Sequence, residues 1–165
     1  MGVPSIRAVG LKNQEGLKVT AVSMKTVVAT GVFDILHPGH VYFLEAAKAI
    51  GDRLVVIVAR DSTARRMKGR KPVVPEDQRL LMVQALKPVD EAIVGDEEDM
   101  FAPLLRIMPD VVALGWDQKF DEKELSVALK KRGLSCRVVR ITKFHDGPLS
   151  KTRKIIEAAR SSPHL

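Results

Sequence analysis

His37 and His40 flank Pro38-Gly39 in the stretch Thr30–His40, TGVFDILHPGH. Imidazoles exchange protons near neutral pH, so this spacing offers two proton donors within one turn. The preceding Thr26-Val27-Val28-Ala29-Thr30 is β-branched and apolar, as a strand buried on both faces should be. Val41 to Lys48 reads as a helix. The histidines therefore fall at a strand-to-helix turn, where free backbone N–H groups and the positive helix end attract phosphate. Gly39 removes a side chain where a ligand can approach the backbone. The expected chemistry is phosphate binding with proton donors alongside. The plainer reading is that His37 and His40 cap the turn while Phe33 fills core.

Three further clusters carry polar chemistry. Arg65-Arg66-Met67-Lys68-Gly69-Arg70-Lys71-Pro72 is followed by Glu76-Asp77-Gln78-Arg79. A charge run is usually a solvated face, and Arg65, Arg66, Arg70 and Lys71 are read that way. Lys68, beside Gly69 in a basic loop after the second strand, is a candidate phosphate contact. Arg79 offers a planar fork for phosphate or carboxylate. In Leu114-Gly115-Trp116-Asp117-Gln118, Gly115 can admit a base or ribose, and Asp117 can accept from an amine or a ribose hydroxyl. The bland alternative is that Trp116 covers an edge and Asp117 caps a helix. Last comes His145-Asp146-Gly147-Pro148-Leu149-Ser150-Lys151-Thr152, with Ser150 read as a helix N-cap.

The elements that must hold these residues alternate along the chain. Strands are expected at Thr26–Thr30, Arg53–Ala59, Glu91–Val94, Asp110–Gly115 and Arg137–Ile141. Helices are expected at Val41–Lys48, Glu76–Leu86, Met100–Ile107 (interrupted by Pro103), Asp121–Arg132 and Ser150–Ala159. Gly133 would cap the fourth of these. Repeated β–α units with near-continuous apolar strands predict an α/β fold, a parallel sheet with helices on both faces. Residues 1–24 show no clear period and read as a loosely held N-terminal extension. The domain is expected over 25–160, with 161–165 a tail.

At 165 residues the chain suits one domain with a full core. No apolar run is long enough to span a bilayer, and the start lacks a signal-peptide core, so cytoplasmic residence is expected. The single Cys136 excludes an internal disulfide and reads as a buried, inert thiol. Net charge is +7, yet one Trp and one Tyr give no stacking platform for bases. Nucleic acid is therefore not the expected partner; cations for a nucleotide's phosphates account for the charge.

Gly31, Phe33, Asp34, His37, Gly39 and His40 fill every fixed position of GxFDxxHxGH, and the chain resembles the HxGH nucleotidyltransferase, or cytidylyltransferase-like, superfamily. The resemblance implies a single Rossmann-like domain with a five-stranded parallel sheet in order 3-2-1-4-5, its ligands beyond the carboxyl ends of the strands. It implies a nucleotide site over Thr30, Gly31, Val32, Phe33, His37, Gly39, His40, Gly115 and Asp117, with His37, His40 and Lys68 catalytic. His40 would serve the α-phosphate. Lys68 and Arg79 match positions the family uses for nucleotide. Ser150 and Thr152 match the hydroxyls of the Arg-Thr-(Glu)-Gly-Ile-Ser-Thr-Thr run of glycerol-phosphate cytidylyltransferases, where they would meet β- or γ-phosphate. The arginine of that run is missing, and Phe144 or His145 stands near its place.

IVARDSTARRMKGRKPVVPEDQR, ALKPVDEAIVGD and LGWDQ resemble the archaeal FAD synthases more than the glycerol-3-phosphate cytidylyltransferases, from about Lys25 to Ala159. That resemblance implies transfer of AMP from ATP to FMN, giving FAD and pyrophosphate, in a homodimer with a divalent cation. No carboxylate cluster builds a metal cage, consistent with Mg²⁺ held through the triphosphate. Met67, Trp116, Phe120 and Phe144 are candidates to line an apolar flavin slot. The rivals are a cytidylyltransferase acting on glycerol-3-phosphate or another polyol phosphate, a phosphopantetheine adenylyltransferase, and a non-catalytic nucleotide sensor or RNA-binding protein.

Overall fold

Five apolar strands line up in parallel in the computed structural model, which describes residues 6–11 and 18–162. Two strands precede them, β1 (Ile6–Leu11) and β2 (Lys18–Ser23), paired antiparallel as a separate ribbon in register Ile6↔Ser23. The sheet itself consists of β3 (Thr26–Gly31), β4 (Arg53–Val58), β5 (Glu91–Val94), β6 (Val111–Gly115) and β7 (Arg137–Ile141). Its order is β5-β4-β3-β6-β7. Counted from β3 as the first strand this is 3-2-1-4-5, as expected, and the topological switch lies between β3 and β6.

Alternation along each strand supplies both covered faces. Val27, Ala29, Leu54, Val56 and Val58 pack with Leu44 and Ala47 of α1 (Pro38–Lys48) and Val83 of α3 (Glu76–Gln84). Val28, Val55, Ile57, Val112 and Leu114 pack with Leu104 of α4 (Ala102–Ile107) and with Leu125 and Leu129 of α5 (Glu122–Lys131). Strands buried on both sides carry no polar face, which is why they read as unbroken apolar runs.

Four local expectations are corrected. The stretch after β4 is not a basic loop: α2 (Asp61–Lys68) forms there, with Asp61 in its first turn, basic residues in its last and left-handed Gly69 (φ +71°) closing it. Pro103 does not interrupt α4; it lies in the first turn, where its missing N–H has no helical partner to lose. Asp121 caps α5 by accepting from Lys123 and Glu124 N–H, so Asp117 is not a cap. The last helix, α6 (Thr152–Ser161), starts two residues later than expected, and Ser150 does not cap it. The ribbon β1–β2 is also an element the pattern of residues 1–24 did not reveal. Gly133 does take the left-handed conformation (φ +81°) after α5. Among the described residues, no helix is long and apolar enough to cross a membrane.

Candidate active site

The turn from β3 into α1 is held in a conformation its residues do not choose. Phe33 (φ 53°) and Ile35 (φ 49°) both take positive φ, at a cost of about 1–3 kcal/mol each. Surrounding bonds over-determine it. Asp34, only 4% exposed, accepts from Val73 and Val74 N–H on Oδ1 at 2.9 and 3.0 Å. Arg79 donates to Val32 O (2.5 Å), Val74 O (2.9 Å) and Asp61 Oδ1 (2.7 Å). Gly31 is required because an added Cβ would lie 2.9 Å from the Phe33 ring.

His37 is the N-cap of α1, its Nδ1 accepting from His40 N–H at 3.3 Å. In the neutral ring the proton is therefore assigned to Nε2. The two imidazoles stack, with centroids 3.7 Å apart and planes 17° off parallel. Burial, then the charge of His37 and that of Lys68, pushes the His40 pKa down to about 3. His37 is also lowered, mainly by burial, with Asp117 opposing and Lys68 adding to the shift. His40 is thus a neutral imidazole at physiological pH. Lys68 and Asp117, far apart in sequence, act electrostatically on this one pair.

Around the pair opens a cleft of about 340 Å³. Thr30, Gly31, Val32, Phe33, His37, Gly39 and His40 line it from the turn, Lys68 from the end of α2, Gly115 and Asp117 from beyond β6, and Ser150 from before α6. Two expected nucleotide contacts do not. Arg79 is wholly buried beneath the turn, where its fork is engaged by the two carbonyls and Asp61, so it positions the loop. Thr152 donates its hydroxyl to Asp34 O at 2.6 Å and so ties α6 to the turn.

The neighbour that needs Gly39 is also not the one expected. A Cβ there would lie 2.6 Å from Ser150 O and 3.1 Å from the His37 ring, so the close approach is from protein backbone. The Ser150 hydroxyl accepts from Gly147 N–H at 3.0 Å and pairs with His145 Nδ1 at 2.8 Å.

Met67, Trp116, Phe120 and Phe144 all face the cleft. Trp116 stacks on Phe144 with centroids 4.8 Å apart, and the Lys151 ammonium rests 4.6 Å from the centre of the Trp116 ring. Sequence reasoning missed Lys119, Lys143 and Lys151, which also line the cleft. It missed Gln118 too, whose amide bridges the strand ends by donating to Thr30 O (2.6 Å) and accepting from Gly115 N–H (3.2 Å). Position beyond β6 and β7 was the available signal for all four. Cys136 is half-buried and lies outside the cleft, its thiol pKa raised mainly by burial.

A crest of neutral, stacked imidazoles between cationic loops and an apolar wall can hold a polyphosphate beside a ring system. The profile of the cytidylyltransferase-like family matches residues 28–158. The chain belongs to that family. The FAD synthase of Ferroglobus placidus is 59% identical over 134 residues, which cover 81% of this chain and 87% of that one. The FAD synthase of Methanothermobacter thermautotrophicus is 57% identical over 141 residues, covering 84% and 93% respectively. Among solved structures, the lipopolysaccharide core biosynthesis protein of Thermoplasma volcanium superposes with TM-score 0.72 at 50% identity, covering 74% of this chain and all of that one. A pantoate-beta-alanine ligase from Francisella tularensis shares the fold alone, with TM-score 0.56 at 14% identity. This member of the cytidylyltransferase-like family is an enzyme, a nucleotidyltransferase.

Proposed function

We propose that the enzyme transfers AMP from ATP to FMN. An oxygen of the FMN phosphate attacks the α-phosphorus of ATP, the bond to the β-phosphate oxygen breaks, and pyrophosphate leaves with the electron pair. The observation that carries the reading is the histidine crest lying in one cleft with the apolar side chains of Met67, Trp116, Phe120 and Phe144. An isoalloxazine ring is large and flat and needs such a wall.

The chain's own groups act mainly by position and charge. His40, with Nδ1 buried and unpartnered, presents Nε2 to the α-phosphate. As a preorganised neutral donor in a water-poor site it stabilises charge that grows in the transition state. His37 supports it by stacking, and Lys68 adds positive charge where the phosphates gather. Asp117 is free to accept from a ribose hydroxyl or an amine. Among the described residues no three His, Cys, Asp or Glu side chains gather to hold a metal. In this reading a divalent cation is bound mainly through triphosphate oxygens and water. When bound, the cation would neutralise charge on the phosphates.

The same reading makes the enzyme a cytoplasmic homodimer with residues 25–160 as its catalytic unit, the β1–β2 ribbon standing outside it. In this reading nucleic acid is not a partner, and Lys68, Lys119, Lys143 and Lys151 of the cleft serve the phosphates of the nucleotide. The deciding assay measures pyrophosphate release and product identity for ATP or CTP with FMN or glycerol-3-phosphate. FAD from ATP and FMN, with CTP much poorer, is expected. CDP-glycerol without FAD would overturn the acceptor and leave nucleotidyl transfer standing.

A further inference from the structure

We infer that Arg140 is a positioning residue for the nucleotide: it fixes the loop between β6 and α5 in the shape that presents Asp117 to the cleft. The inference rests on the reading that Asp117 meets a ribose hydroxyl or an amine of the nucleotide, whichever acceptor is used.

Arg140 stands where the strand pattern calls for an apolar side chain. Alternation along β7 sends Val139 and Ile141 towards the α1 side of the sheet and Val138 towards α5. Arg140 follows Val138 on the α5 side, where its Nε donates to Glu122 Oε1 at 2.9 Å. The side chain is only 21% exposed. An arginine so far withdrawn from water needs its donors engaged, and Arg140 engages all three nitrogens. Nη1 donates to Gly115 O and to Gln118 O, both at 2.9 Å, and Nη2 donates to Phe120 O. One guanidinium therefore collects three backbone carbonyls from the span Gly115–Phe120. Only a planar fork of donors reaches several acceptors at once.

Between β6 and α5 the backbone belongs to no helix or strand, so side chains must satisfy the groups a ladder satisfies elsewhere. Gln118 supplies a second tie, donating to Thr30 O at 2.6 Å and accepting from Gly115 N–H at 3.2 Å. The loop is thus pinned to β3 by Gln118 and to β7 by Arg140. With these carbonyls turned to Arg140, the side chains of Trp116 and Asp117 are left exposed at the cleft. The Asp117 carboxylate folds back over Gly115, 3.5 Å from where a Cβ would stand. Its charge already acts on His37 of the crest. An acceptor that is in place beforehand loses little freedom when the ligand arrives, so more of its hydrogen bond appears as affinity.

The test compares Arg140→Met, which keeps the stem and removes every donor, with Arg140→Lys, which keeps the charge but offers one ammonium to acceptors that are spread apart. ATP and inorganic pyrophosphate, each with Mg²⁺, are titrated into purified protein by calorimetry. ATP affinity should fall at least about tenfold in both variants, the size of one hydrogen bond to a charged group. Pyrophosphate carries phosphates without a nucleoside. Its affinity should fall no more than about threefold, since Lys68, Lys143 and Lys151 of the cleft lie off this loop. Trp116, the chain's one tryptophan, reads the loop itself, and its emission anisotropy without ligand should drop in Arg140→Met. Equal losses of ATP and pyrophosphate affinity would make Arg140 merely structural and overturn the inference. Wild-type ATP affinity in folded Arg140→Met or Arg140→Lys would overturn it as well. Unaltered ATP affinity in Asp117→Ala would instead strike the reading that Asp117 meets the nucleoside. The anisotropy of Trp116, measured without nucleotide, then still judges the hold of Arg140 on the loop.

Discussion

The Thr152 hydroxyl donates to the backbone carbonyl of Asp34 at 2.6 Å, joining turns 118 residues apart in the chain. Asp34 also holds the loop before α3 through Val73 and Val74, so three segments meet at one residue. Thr152→Val keeps the shape and removes the donor. It should cost about 1–2 kcal/mol of stability, measured by urea denaturation, and should slow turnover more than it weakens ATP binding. An equal or larger loss of ATP affinity would mean that Thr152 touches nucleotide.

Arg79 is the largest fully buried side chain among the described residues. Arg79→Met fills similar volume but leaves Asp61 without its 2.7 Å partner and Val32 O without its donor. Breaking such a pair costs about 3–5 kcal/mol when the charge is buried; Asp61 is partly exposed, so the lower end is expected. Denaturant unfolding of Arg79→Met and Asp61→Asn reads this. Stability like that of the wild type would show the loop is held by other contacts.

Gly39→Ala should damage the site without touching its chemistry. The new methyl would sit 2.6 Å from Ser150 O, so the 147–150 loop must move. Overpacking of this kind costs about 1–3 kcal/mol. Pyrophosphate and ATP affinities should both fall while FMN affinity holds. Unaltered kinetics would show that the loop shifts freely.

His40→Ala should lose roughly 3 kcal/mol of transition-state stabilisation, seen in kcat far more than in ATP affinity. Near wild-type turnover would remove this imidazole from the reaction.

Acid stability follows from the same burial. The folded pKa is about 3 against 6.5 for the free ring, so between these values the unfolded chain binds a proton the folded chain refuses. Stability contributed by His40 is full above pH 6.5 and declines as pH falls towards 3, by at most about 1.4 kcal/mol per pH unit. Melting temperatures at pH 7 and pH 5 should converge less in the wild type than in His40→Gln. A pH response unchanged by that substitution would place the proton elsewhere.

The central strands were legible because they are buried on both faces: Val27-Val28-Ala29 and Leu54-Val55-Val56 are apolar whichever way a side chain points. The β3–α1 turn with its stacked histidine pair was legible because His37, Gly39 and His40 lie within a few residues of one another, so local spacing carries the geometry. Arg79 and Thr152 were misplaced for the opposite reason. A guanidinium or hydroxyl near a phosphate motif looks the same in sequence whether it faces the ligand or bonds a carbonyl beneath it. Only the packing of α3 and α6 against the β3–α1 turn decides that Arg79 points at Val32 O and Thr152 at Asp34 O. Likewise Gly39 announces a close approach, but the approaching atom belongs to Ser150. His145 was legible only as standing near the place of a missing arginine; its pairing with Ser150 exists only once the β7–α6 loop has folded. Local order is written in neighbouring residues; which polar group faces ligand and which faces backbone is set by contacts across the whole chain.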